Sequence, residues 1–156
     1  MSTATLTSVD RIYREAEATL NFLREAGEIS LAVAAEDVMR KALLLSAASY
    51  FEHVMTTQVL EFASWAVGDD RLIPSLVKGR AVTRQYHTWF DWDSANANRF
   101  FSMFGDAFRQ YMLEWVNIDD ELNSSSRSFV IIGRERNRLI HQDFASFPMT
   151  VDSGEI

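Results

Sequence analysis

The stretch GRERNRLIHQDF, Gly133 to Phe144, sets three arginines, an asparagine and a histidine among apolar side chains. Those residue types suit work on a phosphate. An arginine fork holds phosphate oxygens through paired, charge-assisted hydrogen bonds. Histidine ordinarily titrates close to neutrality and can carry protons there. Wound as a helix at about 100° per residue with Arg136 as origin, Phe129 falls at about 20°, Ile140 at about 40°, Leu139 at about 300° and Ile132 at about 320°. Arg136 therefore sits in the middle of an apolar stripe. Arg134 and Arg138, at about 160° and about 200°, lie on the opposite side, as a solvated face would. Asn137 at about 100° and His141 at about 140° complete a fan of polar groups that begins in the apolar face and opens along one flank.

Arginine is almost never buried without a partner, which leaves two readings of this fan. In one, Arg136 pairs with a buried carboxylate and His141 caps the helix end, helped by the helix dipole. In the other, Arg136 holds a phosphate, His141 moves protons, and Arg134, Arg138 and Gln142 border the site as substrate-binding residues. On geometry alone the structural pair is the stronger of the two. Glu52, at the margin of an apolar helix face beside His53, is the candidate supporting carboxylate for Arg136, with an ordinary half-exposed residue as the blander alternative. His53 and His87 read as ordinary polar residues. No two histidines have ligand spacing and no Glu-x-x-His pair occurs, so neither a metal site nor a cofactor is expected. Residues 127 to 141 carry four arginines (127, 134, 136, 138) against Glu135 alone, a local charge of about +3. Gly133 is a poor helix former and serves either the close approach of a partner or RNA, or a packing need.

The elements that must position these residues read as helices. Thr7-Ser8 offers a cap, after which Val9, Ile12, Tyr13, Ala16, Leu20 and Leu23 recur at helical spacing until Gly27. A second pattern runs from Leu31 to Val67 and stops at Gly68, with Leu44, Ala48, Phe51, Met55, Val59 and Phe62 as its stripe; it is one bent helix or two. GDDRLIPSLVKGR combines loop signals with a short turn of helix started by proline. TRQYHTWFDWDSANAN reads as a long aromatic loop, functional or packing. Its Tyr86, Trp89 and Trp92 are assigned to core or interface ahead of base stacking. ANRFFSMFGDAFRQYMLEWV reads as one helix with Phe101, Phe104, Phe108, Met112 and Trp115 in line as core, and a last helix runs from Asp119-Asp120 to about Ile140. With two prolines and no run of period two, the expected fold is all-α, a bundle of four to five helices. TVDSGEI at the end reads either as the cap and first turn of a further helix beyond 156, or as a frayed tail.

A chain of 156 residues suits a single domain spanning 1–156. No apolar run approaches 18 residues, the polar start is unlike a signal peptide, and there is no cysteine, so a cytoplasmic protein that avoids membranes is expected. The net charge of −7 excludes binding to nucleic acid by generic attraction, and leaves that task to the local arginine patch.

Arg136-Asn137-Arg138-Leu139-Ile140-His141 matches the R-x4-6-H signature of the HEPN superfamily with four intervening residues, and Asn137 supplies the polar residue favoured directly after the arginine. The match lies near the end of the last long helix of a small, cysteine-free, all-α chain, where HEPN domains carry it. With SYFEHVMTTQVLEFA on the long second helix and RNRLIHQDF later, the chain resembles the RiboL-PSP-type HEPN domains over roughly residues 10 to 148. The resemblance implies a metal-independent endoribonuclease, a toxin or phage-defence effector, that cuts RNA, tRNA among the candidates. It implies a homodimer whose two motifs share one composite cleft, and an antitoxin or defence-system protein as a partner. In that chemistry Arg136 neutralises charge on the phosphorane, His141 transfers protons, and Asn137 orients the histidine or binds a phosphate oxygen. One departure concerns the partner: HEPN toxins silenced by a nucleotidyltransferase antitoxin carry a tyrosine two residues after the histidine, where this chain has Asp143. The alternative is a non-catalytic helical module, antitoxin-like or a complex subunit, in which the same motif binds RNA or nucleotide or buttresses a protein interaction.

Overall fold

A computed structural model describes residues 6–68, 71–94 and 96–149. The TVDSGEI segment lies outside them, as does the Asp69-Asp70 pair. Among the described residues every regular element is a helix: α1 Ser8–Glu25, α2 Ile29–Val67, α3 Leu72–Val77, a π-helical turn Lys78–Val82, α4 Tyr86–Trp89, α5 Asn98–Ser102, α6 Asp106–Ile118 and α7 Asp120–Ile140. The fold is all-α, as the periodicity implies.

Local chemistry sets several of the boundaries. Thr7 caps α1 reciprocally: its Oγ1 accepts from the Asp10 amide at 3.1 Å, while the Asp10 carboxylate accepts from the Thr7 amide at 2.8 Å. The hydrogen bonds from the Thr7 side chain and backbone hold the Asp10 carboxyl below its ordinary value. Gly27 and Gly68, both with positive φ, follow α1 and α2 and suit the left-handed conformation of helix ends. The second pattern is one continuous helix of 39 residues. The phenylalanine-rich stretch read above as a single helix is divided into α5 and α6, because the chain turns at Gly105 with φ 92° before α6 begins at Asp106. The break also changes what that stripe does. Phe101 is buried and Phe104 and Met112 are half-buried, but Phe108 and Trp115 are exposed, so only part of the expected core is core. Phe62 at the end of the α2 stripe is likewise exposed.

The chain forms two compact units. The first joins Met1–Tyr50 to Glu135–Ile156, the second is Phe51–Arg134, and the divisions fall inside the continuous helices α2 and α7. In the first unit Leu20, Ala32, Leu43, Leu44, Ala47, Ala48, Leu139 and Phe147 are buried, and Arg24 on α1 bridges Glu36 on α2 at 2.8 Å.

In the second unit the core is aromatic. Trp89, the last residue of α4, and Phe90 directly after it are buried with Val59, Val82, Ala97 and Phe101. Phe90 lies 5.1 Å from Phe100 in a stacked pair and 4.9 Å from Phe129 of α7 edge-on. The Trp89 indole donates to the Ala81 carbonyl at 2.8 Å, and Trp92 to the His87 carbonyl at 2.9 Å. The aromatic stretch expected to be a loop therefore holds the short helix α4 and is a packing element. It also explains Gly133. A Cβ at that position would overlap the six-membered ring of Trp92, so the helix lacks a side chain there because the indole occupies the space. Gly133→Ala should therefore cost about 1–3 kcal/mol through overpacking, despite alanine's better helix propensity. Thermal denaturation of Gly133→Ala and of Gly133→Ala with Trp92→Leu tests this. The single variant should melt lower and the second change should recover part of the loss; a single variant as stable as wild type would show that the indole does not need the gap.

Candidate functional site

The residues of the motif are placed by the last turns of α7. The helix begins with Asp120 and Glu121 and ends with Arg138 in its last turn, each favourable to the helix dipole, and the Asp119 side chain caps it by accepting from the Leu122 amide at 2.9 Å. Along α7 the buried positions are Val130, Ile132, Glu135 and Leu139, while Ile140 is exposed. The stripe in the last turns is thus centred on Glu135 and Leu139, some 60° from the position the helical wheel implies. Arg136 lies at its shoulder, half-buried, and not in its middle.

Arg136 donates through Nη1 to the Asn137 Oδ1 at 3.0 Å. Neighbouring side chains of the motif are therefore already joined, with the Asn137 carboxamide oxygen turned to the guanidinium and its NH2 left to donate elsewhere. His141 is the first residue past the helix and is exposed, and among the described residues no hydrogen bond reaches its ring. Gln142 beside it is exposed as well. Arg134 is half-buried. Glu52 is half-buried on α2, in the second unit. Arg127, His53 and His87 are exposed. Among the described residues no three His, Asp or Glu side chains converge as a metal set would.

The most constrained charge near the motif is one that the wheel did not single out. Glu135 is 1 % exposed, and its two carboxylate oxygens accept from Arg138 Nη1 at 2.9 and 2.8 Å. Arg138 also lays its guanidinium 5.4 Å from the centre of the Phe147 ring, a buried side chain of the segment that follows the helix. Arg138, with a side chain 41 % exposed, is thus both a surface cation and a structural clamp. Lys41 on α2, 1 % exposed and paired with Asp37 at 2.7 Å, is a second buried charge that sequence reasoning missed. Both had a signal. Glu135 lies within about 60° of Ile132 and about 40° of Leu139 on the wheel, and Lys41 stands one turn before Leu44 in line with the Leu44–Ala48 stripe of α2.

A clamp and a surface contact differ in their effect on stability. Arg138→Met should lower the melting temperature, at a cost on the order of 1–3 kcal/mol, because it removes the donor that faces a buried carboxylate. A melting temperature equal to wild type would return Arg138 to the role of a solvated side chain.

Compared with known families, residues 10–156 match the RiboL-PSP-HEPN family model. No curated protein and no solved structure gave a significant match. The match covers nearly the whole chain, including both long helices and the Arg136–His141 motif: this protein belongs to the RiboL-PSP-HEPN family.

Proposed function

We propose that the protein is an endoribonuclease of HEPN type, acting as a toxin or phage-defence effector, with Arg136, Asn137 and His141 as its reacting groups. The observation that carries this reading is the joined Arg136–Asn137 pair at the shoulder of the α7 stripe, with an exposed histidine one turn further on. Membership of a family whose domains often cleave RNA supports it.

The chemistry follows from these groups. A base takes the proton of a ribose 2′-hydroxyl, the oxygen attacks the adjacent phosphorus, and a pentavalent phosphorane forms. The bond to the 5′-oxygen then breaks as an acid protonates that oxygen, leaving a 2′,3′-cyclic phosphate and a 5′-hydroxyl. Arg136 neutralises the charge that builds on the equatorial oxygens. The Asn137 carboxamide steadies the guanidinium through its oxygen and donates to phosphate through its NH2. His141 moves protons. No step calls on a metal ion.

A single motif offers one histidine for two proton transfers, and a local charge of about +3 for a polyanionic substrate. The active form in this proposal is a homodimer that presents two motifs to one RNA. Arg134, Arg138 and Gln142 would border the path of the strand, with Arg138 contributing through the part of its guanidinium not turned to Glu135. The cytoplasm, where RNA is abundant, is the proposed place of action.

Incubation of the purified protein with total RNA and with tRNA, in the presence of excess EDTA, tests the assignment. Wild type should cleave, and Arg136→Ala and His141→Ala should lose about 10²-fold or more while keeping their helical content. Cleavage by His141→Ala at the wild-type rate would remove the histidine from the chemistry. Protein that cleaves nothing in any form, yet binds RNA through Arg136, would favour the non-catalytic module. Loss of cleavage on chelation, restored by magnesium, would contradict the metal-independent route.

A further inference from the structure

His141 stands where a helix has just ended. Helix termini fray, and a proton-transferring side chain displaced by about 1 Å can lose 10²-fold in rate. A catalytic histidine at this place therefore needs something beyond the helix to hold the backbone that carries it. The following segment is fastened at several points. Asp143 closes a turn: its Oδ1 accepts from the Ala145 amide at 3.3 Å, its Oδ2 from the Ser146 hydroxyl at 2.9 Å, and its carbonyl from the Ser146 amide at 3.2 Å. Phe147, 2 % exposed, anchors the far end beneath the Arg138 guanidinium. Between them Lys41 reaches from α2. Its Nζ lies 3.5 Å from the Ala145 carbonyl and 5.4 Å from the centre of the Phe144 ring, while Asp37 holds the ammonium at 2.7 Å.

Two cations on two helices of the same unit thus grip one short stretch, Arg138 at Phe147 and Lys41 at Phe144 and Ala145. Burying a lysine is costly. An apolar side chain would fill the same space without that cost, but it could not bind a carbonyl oxygen. The placement of a charge there is explained by what it holds.

We infer that residues 143–147 form a strap that fixes the position of His141, and that Lys41 and Phe147 are positioning residues for the reaction. The inference rests on the proposed RNA-cleaving role of His141. It assigns to α2 a part in catalysis although Lys41 is too buried to touch RNA, and it gives a reason why Asp143 stands two residues after the histidine: the carboxylate ties the turn.

Lys41→Met and Phe147→Leu keep most of the buried volume and remove one grip each. Steady-state cleavage of RNA, at a temperature well below the melting point of each variant, should show kcat reduced about tenfold or more with KM within about twofold. The His141 ring resonances, assigned by their absence in His141→Ala, should broaden or shift in both variants. Folding is monitored by helical circular dichroism. Variants that cleave at the wild-type kcat, or that raise KM alone, would overturn the positioning role while leaving the ribonuclease reading in place. Should wild type cleave no RNA, the ribonuclease reading fails separately. The ring resonances then decide the strap alone: unchanged signals in both variants would overturn it.

Discussion

A carboxylate buried in a helix face dictates the arrangement at the end of α7. Glu135 occupies a position between Ile132 and Leu139 where an apolar residue would cost less. Its charge is tolerable because Arg138, one turn on, presents Nη1 to both of its oxygens. That pairing turns Arg138 back along the helix, and the guanidinium comes to rest over Phe147. The stripe then centres on Glu135 and Leu139, which leaves Arg136 at the shoulder, where its guanidinium meets the Asn137 side chain. The three neighbouring arginines of this helix end thus differ in their surroundings. Arg134 is half-buried, Arg136 is joined to an asparagine, and Arg138 is clamped to a glutamate.

Much of this architecture was legible in the chain. Thr7 with Asp10, Gly27 and Gly68 mark ends of α1 and α2 because capping and left-handed backbone are local requirements that few residues meet. The all-α class and the extent of α7 follow from periodicity. The rest depends on contacts between distant residues. A wheel treats a helix as straight and assumes that apolar residues define its buried face, so it centred the α7 stripe on Arg136 and overlooked Glu135. It carried the phenylalanine stripe through Gly105, where the chain turns with φ 92°. Gly133 could be flagged as anomalous from propensity, but its reason, the Trp92 ring 41 residues earlier in the chain, is a matter of tertiary packing. The candidate site was legible as residue types. Its internal order, with the Asn137 carboxamide accepting from the Arg136 guanidinium, was not.

The two units divide the work differently. The second is organised by aromatic packing, with Trp89 and Phe90 buried at its centre and α7 entering it through Phe129. The first holds its charges by paired contacts: Arg24 with Glu36, Lys41 with Asp37, Arg138 with Glu135. The Arg136–His141 motif falls in the unit where charges are managed individually, which suits a site that must keep cations available to phosphate while holding their neighbours still.

The nature of the RNA ends produced by the protein bears most directly on the claim that Arg136 and His141 cleave by attack of a 2′-hydroxyl. Total RNA treated with wild type and with His141→Ala can be sequenced by a ligation that captures only 2′,3′-cyclic phosphate ends. The account predicts a set of such ends with wild type that is absent with His141→Ala. New ends bearing 3′-hydroxyl and 5′-phosphate groups, or the same cyclic ends from the His141→Ala protein, would contradict it.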